Sequence, residues 1–396
     1  RSLVHTCTGN EFGGCQGDVE FDNPAWPNNW PLMGRSRNST ITVNGGTIMG
    51  TVFGGPEQGL MYEGSHVTVN GGSIGSEVTD SNNKKYYYGG VYGAGYGCDV
   101  QSEAEQDVTV NETTTTADRI AGRMLGNAFV DMLGGTVYGN VFGGASFAYV
   151  GDGVTASKGS THVNIGTQEQ IDAQDPYKGT TILGEVYGAN DRSGTPYGSV
   201  KVDVYHTKHN DLNKYPDEIP ESPTALLALP STSDRFALQA VYGGSNKADY
   251  SPVIDRSTTN EATVYVHNCY ENTIKDVYGG SNAADVHTST NVIIEGGRMD
   301  RVFGGGNGES TPANIYGKAK TTIIGGLIGH LFGGSNTNGF IEETYLDINQ
   351  NTSCPLVIGE TYGGSNEAPV IGEIVTTVEC GSGVYGTFYG GTSLAP

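Results

Sequence analysis

The chain has 396 residues, of which 62 are glycine and 15 are proline, and its 43 acidic and 21 basic side chains give a formal net charge of −22. Glycine is about twice its usual ~7% share, but no Gly-X-Y period exists, which excludes a collagen, and the negative charge argues against nucleic acid or an anionic membrane surface as a partner. The sequence has no run of 18 apolar residues to span a bilayer. Because it starts at Arg1 and not at Met, we expect a mature product or an excised piece, and because neither end looks like the cap of a repetitive fold, we expect part of a longer protein.

The first elements along the chain are copies of a glycine-rich motif. Residues 10–17 read NEFGGCQG and residues 41–55 read ITVNGGTIMGTVFGG. In the longer copy, a short β-prone stretch and a Gly-rich break precede a second apolar run that ends on aromatic-Gly-Gly. Such short runs, rich in β-branched and aromatic residues and bounded by glycine, predict strands instead of amphipathic helices.

Long gaps between the next motif copies predict insertions at the corners of the fold, where loops are tolerated and often carry function. The first insertion contains the tyrosines of KKYYY, and the second contains a stretch, ADRIAGRMLG, that could form a short helix. The third insertion is polar. The fourth is Pro-rich, and we expect it to fold over the side of the β-helix. They cover residues 77–88, 98–127, 145–179 and 205–235.

The C-terminal motif copies are closely spaced and set the repeat length. The last five gaps between motif aromatics are 36, 25, 29, 30 and 27 residues, whereas the earlier gaps run from 39 to 55. A period in this range indicates a solenoid or propeller, and a propeller blade needs about 40 residues. Neither a Leu ladder nor a six-residue left-handed pattern is present. We therefore predict an all-β, single-stranded right-handed parallel β-helix over residues 1–396, with long corner insertions.

Each motif position has an expected role in such a helix. The aromatic should point inward and stack on its equivalent about 4.8 Å away in the next coil, and the paired glycines should adopt corner conformations with positive φ. An Asn four residues after the aromatic should form a side-chain ladder at the corner. The stack is predicted for Tyr242, Tyr278, Phe303, Phe332, Tyr362 and Tyr389, and the ladder for Asn246, Asn282, Asn307, Asn336 and Asn366.

Six cysteines are too few for a disulfide-built scaffold. Their main expected role is as small buried side chains. Cys354 and Cys380 lie at similar positions before successive motif aromatics, so a disulfide between them is an alternative, and Cys7 and Cys15 are close enough in sequence to pair.

Candidate metal ligands are sparse. Asp249 and Asp285 each lie three residues after a motif Asn, so they could stack and hold Ca²⁺ through their carboxylates. The next coil has Ser310 at that position, which would end the row. His206 and His209 in HTKH are expected to be a surface pair, because an isolated HxxH is a weak zinc motif.

The repeat GG-x-[VIL]-x-G-x-[VLT]-[FY]-GG-x-N, seen in GGTIMGTVFGG, GTVYGNVFGG, VFGGGNG and YGGSN, resembles the glycine-rich repeats of large adhesin-like β-helix surface proteins of gut bacteria of the Bacteroidetes and clostridial types. This resemblance covers nearly the whole chain outside the insertions. It implies an extracellular or cell-surface location and an adhesin-like or structural role, and it supplies no catalytic residues.

Two functions follow as expectations. The first is a non-enzymatic surface segment that presents its insertion loops to a glycan or a protein, or that self-associates. Its ligand site is expected within residues 77–235 and to include Tyr86, Tyr87 or Tyr88, since tyrosine offers a flat apolar face and a hydroxyl. The alternative is a polysaccharide-active enzyme, a lyase or glycoside hydrolase, which would need a row of at least three carboxylates in register. No cofactor other than Ca²⁺ is expected.

Overall fold

A computed structural model places these repeats in three dimensions. It describes residues 6–7, 9–16, 34–97, 107–110, 113–116, 121–172, 175, 177–253, 260–269, 272–350, 354–379, 381 and 383–394. Within them, three parallel sheets run along the chain, and each strand pairs with the equivalent strands of the preceding and following coils. The prediction of a parallel β-helix is confirmed.

The largest sheet contains the motif aromatics at the ends of its eleven strands. These strands are β2 (Glu11–Phe12), β6 (Val52–Phe53), β12 (Val91–Tyr92), β17 (Val141–Phe142), β20 (Val186–Tyr187), β22 (Leu238–Tyr242), β24 (Thr273–Tyr278), β26 (Arg298–Phe303), β28 (Gly326–Phe332), β30 (Leu356–Tyr362) and β32 (Val384–Tyr389). We call it the motif sheet.

The second sheet has ten strands and forms the opposite side of the coil. Its strands are β4 (Ser39–Val43), β8 (Ser65–Val69), β15 (Ala128–Met132), β18 (Thr161–Ile165), β21 (Val200–Val204), β23 (Ala262–Val266), β25 (Thr290–Ile294), β27 (Ile315–Ile323), β29 (Ile341–Asn349) and β31 (Ile374–Glu379). We call it the second sheet.

Shorter elements complete the coils. Five two-residue strands form a third parallel sheet. The pairs β10–β11 and β13–β14 are antiparallel hairpins, whereas β3–β7 is a parallel pair that continues into the next coils through the bridges of Met61 to Met124 and of Met124 to Val150. The third sheet comprises β1 (Thr6–Cys7), β5 (Thr47–Ile48), β9 (Ser73–Ile74), β16 (Thr136–Val137) and β19 (Thr181–Ile182). The pairs are β3 (Arg35–Ser36) with β7 (Leu60–Met61), β10 (Ser76–Thr79) with β11 (Lys85–Tyr88), and β13 (Asp107–Val110) with β14 (Thr113–Thr116).

The aliphatic core lies between the sheets. Alternate side chains of the second sheet point inward, as the buried Val264 and Val266 show, and they meet the motif-sheet valines such as Val277. Two threonines of the second sheet, Thr290 in β25 and Thr344 in β29, donate their hydroxyls to the carbonyl oxygens of motif glycines. These buried hydrogen bonds join the two sheets.

The eleven motif aromatics form one continuous stack, with neighbouring ring centroids 4.6 to 5.0 Å apart. The rings from Phe142 to Phe332 are buried, as expected. They do not join the aliphatic core but form a separate cluster, because consecutive strand residues face opposite ways and the preceding valine points to that core. Each stacked pair adds about 0.5–1.5 kcal/mol beyond burial.

The asparagine ladder is continuous over five coils. The Nδ2 of Asn282 donates to Asn246 at 3.0 Å, and the same side-chain bond recurs at 2.8 to 3.0 Å up to Asn366. At its N-terminal end, Asn246 donates to Asp191 at 2.8 Å. Asp191, four residues after Tyr187, therefore occupies the ladder position in the preceding coil, which the sequence motif did not predict.

The paired glycines after the aromatic differ from expectation. Gly279 does not have a positive φ, but a Cβ there would clash with the carbonyl oxygen of Gly304 in the next coil. Glycine is needed at this position for close backbone approach. The positive φ occurs instead at the earlier glycine pair that several coils contain, for example 91° at Gly297, where the left-handed conformation favours glycine.

Two of the predicted insertions have different limits. Residues 145–179 are not one insertion, because β18 and the bridging Val150 are parts of a regular coil. In residues 98–127, the described part contains the β13–β14 hairpin, and Met124 already pairs in a coil. The expected short helix lies partly outside the described residues, and its described part, residues 121–126, is not helical. A short helix, α1 (Gln168–Asp172), follows β18 instead.

The fourth insertion, residues 205–235, folds over the side of the stack as predicted; we call it the strap. It contains α2 (Pro223–Leu227) and a 3₁₀ helix (Ser233–Arg235). Leu226 of α2 is buried against Leu327 and Val357 of β28 and β30. The strap thus leaves the stack after β21 and covers coils further along the chain.

One disulfide joins the loops after β23 and β29. It links Cys269 to Cys354, 85 residues apart in sequence, with a Cα–Cα distance of 5.1 Å. The alternative of a Cys354–Cys380 bond is wrong, because the loops lean over Gly296 and Gly325, whose missing side chains leave the room that Cys269 and Cys354 occupy. Cys15 is free, and Cys7 and Cys380 have no described side chains.

Candidate functional site

The predicted tyrosine insertion is the antiparallel hairpin of β10 and β11. Tyr86, Tyr87 and Tyr88 are all exposed, Tyr88 by 54%. Because side chains alternate along a strand, Tyr86 and Tyr88 share one face while Tyr87 lies on the other, where its ring centroid is 6.4 Å from that of Tyr138. The hairpin therefore presents its tyrosines on two faces and does not gather them into one surface.

The predicted calcium residues form part of a second polar file. The Oδ1 of Asp249 accepts the backbone N–H of Asp285 at 3.0 Å, and the Oδ1 of Asp285 accepts both the backbone N–H and the Nδ2 of Asn314, at 3.1 and 2.8 Å. The row continues at Asn314 and not at Ser310, because the corner after Phe303 is four residues longer than the two before it. Ca²⁺ binding here stays a prediction, with two carboxylates that each already serve a backbone amide.

A groove of about 450 Å³ opens at the same corner. Its walls come from the three successive coils that contain β17, β20 and β22, in the loops after the motif aromatics. We call it the corner groove and define it by the side chains that its chemistry depends on, which are Tyr149, Arg192, Thr195, Tyr197, Lys247 and Asp249.

Two tyrosines form the aromatic part of the corner groove. The rings of Tyr149 and Tyr197 stack with centroids 5.6 Å apart and an interplanar angle of 20°. The Arg123 guanidinium lies 5.7 Å from the centre of the Tyr197 ring, which holds that ring by a cation–π contact. Both tyrosines are half-buried, so each combines an anchored ring with an accessible portion.

Two cations lie beside these rings. Lys247 is exposed and makes no ion pair among the described residues. Arg192 is 59% exposed, and its Nε lies 3.6 Å from Asp191, but that carboxylate is already held by Asn246 and by the hydroxyl of Tyr92, which donates at 2.9 Å. With Arg192 and Lys247 against the single carboxylate of Asp249, the lining of the corner groove has a net positive charge on a strongly acidic chain.

The sequence does contain a signal for this site. Arg192 and Lys247 are each five residues after a motif aromatic in successive coils, and the parallel register puts equal offsets next to each other. Sequence analysis did not predict this pair of cations. Tyr149, Arg192 and Tyr197 do lie within residues 77–235, where the ligand site was expected.

The outer face of the motif sheet contains a row of charged residues. Asp276 and Arg301, adjacent in register, form a bidentate pair with Nε–Oδ1 and Nη2–Oδ2 distances of 2.7 and 2.6 Å. Glu185 and Glu360 are in the same row, but Ala240, Arg301 and His330 interrupt the carboxylates. The uninterrupted carboxylate row that would favour an enzyme does not form here.

The second sheet contains a buried aspartate that sequence analysis missed. The carboxylate of Asp203 receives His162 Nε2 at 2.5 Å, His267 Nε2 at 2.7 Å and Lys201 Nζ at 2.8 Å. Burial alone would raise the pKa of Asp203, but these three hydrogen bonds outweigh it and lower the pKa well below the usual range. All three partners bond to the carboxylate of Asp203, so the cluster links neighbouring coils of the second sheet and stabilises it. The carboxylate is therefore not available to a ligand.

The histidine pair of the strap is buried and not on the surface as expected. His206 and His209 are 1% and 5% exposed. The Nε2 of His206 lies 3.0 Å from the carbonyl oxygen of Lys178, and the Nε2 of His209 lies 3.1 Å from the Thr207 hydroxyl. The His206 bond anchors the start of the strap to the loop before β19, whereas the His209 bond lies within the strap.

Comparisons with protein-family models, with curated proteins and with solved structures found no significant match to this chain. Within the described ranges, no group of three or more His, Cys, Asp or Glu side chains is placed to hold a metal ion. The helices described there are all too short or too polar to cross a bilayer. The functional argument therefore depends on the geometry of the grooves.

Proposed function

We propose that this protein is an extracellular or cell-surface, adhesin-like β-helix that binds an acidic glycan in the corner groove. The observation that supports this most is the combination of two stacked tyrosine rings with two cations, Arg192 and Lys247, on three adjacent coils. The rigid stack fixes the spacing of these groups, so binding needs little ordering of the protein.

The chemistry of the corner groove fits a sugar better than it fits a purely apolar ligand. Tyrosine faces pack against pyranose C–H groups and their hydroxyls bond at the rim. Neighbouring serines add neutral donors and acceptors, whereas the Thr195 hydroxyl already donates to the Pro196 carbonyl and accepts the backbone N–H of Ser251. The guanidinium of Arg192 can bind a carboxylate or sulfate in bidentate fashion, while Lys247 supplies a point charge.

An exterior location is supported by the Cys269–Cys354 disulfide, because such bonds persist in oxidising compartments and are rare in the cytosol. The resemblance of the repeat to adhesin-like surface proteins points the same way. The hairpin tyrosines Tyr86, Tyr87 and Tyr88 are a second candidate contact for a glycan or protein, but their division over two faces favours the corner groove.

The alternative of a polysaccharide-active enzyme has weaker support, because the carboxylates of the motif sheet are interrupted in register. Incubation with oligogalacturonate, alginate or glycosaminoglycan tests it through the appearance of unsaturated or shortened products. Any such product would replace the binding proposal with a catalytic one.

Calorimetric titration with oligogalacturonate and with a chondroitin sulfate oligosaccharide tests the binding proposal, with a neutral cello-oligosaccharide as the ligand control. We expect Arg192→Ala and Lys247→Ala each to weaken binding about tenfold. The matched control Lys84→Ala removes an exposed cation of the hairpin tip and should leave affinity unchanged, as should Tyr86→Ser with Tyr88→Ser. Equal binding by all variants, or stronger binding of the neutral sugar, would contradict the proposal.

A further inference from the structure

A second groove lies on the outer face of the motif sheet, beside the asparagine ladder. It has a volume of about 320 Å³. The buried rings of Tyr242 and Tyr278 form its floor, and Asn307, Asn336 and Thr337 line one side. We call it the ladder groove. It shares no lining residue with the corner groove, so the two can be tested separately.

The charges of the ladder groove do not balance. Its lining includes the Asp276–Arg301 pair, whose two hydrogen bonds engage both carboxylate oxygens and most of the guanidinium. Two further carboxylates, Glu185 and Glu309, also face the groove. Among the described residues neither of them makes an ion pair with Lys, Arg or His. Lys275, the remaining lining cation, lies in the field of Asp300.

The surroundings of Glu185 show the effect of this imbalance. Its carboxylate accepts a hydrogen bond from the hydroxyl of Tyr187. Burial first, and then the negative charges of Glu309 and Asp276, nevertheless raise the pKa of Glu185. A positive group placed between Glu185 and Glu309 would relieve the repulsion between them. The unbalanced negative charge of the ladder groove therefore favours the binding of a cation.

The neighbouring groups indicate which cation. A bare metal ion lacks the ligand set, because no three-residue metal group occurs among the described residues. Asn307 and Asn336 each use one N–H and one oxygen lone pair in the ladder, so each retains a donor and an acceptor. These amides and the Thr337 hydroxyl match the hydroxyls of a sugar, and the two carboxylates without an ion pair match an ammonium group.

We propose that the ladder groove binds an amino sugar through its free ammonium group, held between Glu185 and Glu309. The sugar hydroxyls bond to Asn307, Asn336 and Thr337, and the ring edges of Tyr242 and Tyr278 contact its apolar side. A hexosamine whose nitrogen is acetylated has no positive charge and should not occupy this site. A polyamine would satisfy the carboxylates but would leave the amides without partners.

The test is a calorimetric titration of the full chain with three probes: glucosamine oligomers, the same oligomers fully N-acetylated, and spermidine. We expect the free-amine oligomer to bind at least about tenfold more tightly than the other two. Glu185→Gln and Glu309→Gln should each weaken that binding about fivefold to tenfold. The Gln at position 185 can still accept the Tyr187 hydroxyl, and thermal unfolding checks that each variant is folded.

Glu367→Gln provides the matched control, because Glu367 is exposed and lies outside the groove; it should leave binding unchanged. Equal affinity for acetylated and free-amine oligomers would overturn the proposal. So would binding that survives in both groove variants, or spermidine binding as tight as the oligomer. Arg192→Ala and Lys247→Ala in the corner groove should not change these results, so failure here leaves the acidic-glycan proposal standing.

Discussion

The coils before β22 and those from β22 onward share one aromatic stack but are built differently. In the earlier coils the motif strands are two residues long, and a separate two-residue strand of the third sheet precedes each of them. In the later coils the motif strands have five to seven residues. We call these the insertion-bearing half and the lean half.

One extra residue between two core positions accounts for this difference in strand length. In the insertion-bearing half two core residues before the motif are four apart, as Val137 and Val141 are, whereas in the lean half they are three apart, as Ile274 and Val277 are. A separation of three lets both core residues lie in one irregular strand, because Lys275 between them has no partner in the pairing with β22. The extra residue instead makes a corner, and the β10–β11 hairpin leaves the stack at the corner after Ile74.

The comparison indicates that the two halves differ in role: the insertion-bearing half carries loops, and the lean half is built for stability. The extra corner lets loops leave the stack, as the β10–β11 hairpin does, whereas continuous strands, the amide ladder and the strap give the lean half its stability. The following predictions test whether the halves differ in this way, from the largest expected effect to the smallest.

The shared stack should stabilise both halves equally. Phe142→Ala and Phe332→Ala each remove a buried ring, 1% and 5% exposed, and each should lower the free energy of unfolding by about 3–5 kcal/mol. Urea denaturation measures this. Phe129→Ala, at a ring that is 39% exposed outside the stack, is the control and should cost far less. A small effect at Phe142 alone would mean that the stack supports only the lean half.

The disulfide should stabilise the lean half only. Replacing both Cys269 and Cys354 by Ser releases a loop of 85 residues and should cost about 2–5 kcal/mol, because the unfolded chain regains its freedom. Hydrogen exchange should speed up in β25 and β27, which the loop encloses, and not in β15 or β18. An unchanged unfolding midpoint after reduction would show that the bond has no stabilising role.

The asparagine ladder, like the disulfide, belongs to the lean half. Asn336→Ala removes the acceptor of Asn366 and the donor to Asn307, and it should cost about 1–3 kcal/mol because it leaves half-buried amides unpaired. Amide exchange should accelerate in the two neighbouring coils. Asn291→Ala, on the outer face of β25, is the control. Unchanged protection near Asn307 and Asn366 would count against a ladder that acts between coils.

The smallest effect concerns a loop of the insertion-bearing half that is held by its own hydrogen bonds. Burial opposes ionisation of Asp152, but the N–H groups of Thr155 and Val154, the Thr155 hydroxyl and Lys158 lower its pKa to about 2. A lowered carboxylate pKa stabilises the loop above about pH 4. That stabilisation is lost as the pH falls through about 2.

Cleavage by pepsin within residues 151–159 should therefore increase as the pH is lowered from about 4 to about 2, while the lean half resists. Asp152→Asn should make cleavage of this loop nearly independent of pH over that range. Loop cleavage that does not change with pH in the unmodified chain would show that Asp152 does not hold the loop closed.

The regular spacing of the lean half is what made the fold predictable. Each ladder Asn from Asn246 to Asn366 lies four residues after its motif aromatic, so the stack and the ladder follow from the repeat. The third insertion was misplaced because β18 is separated from its motif aromatic by a long corner of irregular length. Asn314 was missed for the same reason.

The grooves could not be predicted from local sequence. The corner groove joins side chains that are about 100 positions apart, from Tyr149 to Asp249, and the ladder groove depends on which charges remain unpaired after Asp276 binds Arg301. The Cys269–Cys354 bond depends on loops that lean across two glycines of intervening coils. Each of these requires the lateral register of several coils, which irregular spacing conceals.

Hydrogen exchange measured by mass spectrometry, with and without saturating oligogalacturonate, tests the central claim that binding occurs in the corner groove of a rigid stack. We predict slower exchange in the peptides containing Tyr149, Arg192 to Tyr197, and Lys247 to Ser251, and no change in β26, β28 or β30. Slower exchange confined to the β10–β11 hairpin or to the lean half, with the corner-groove peptides unaffected, would contradict it.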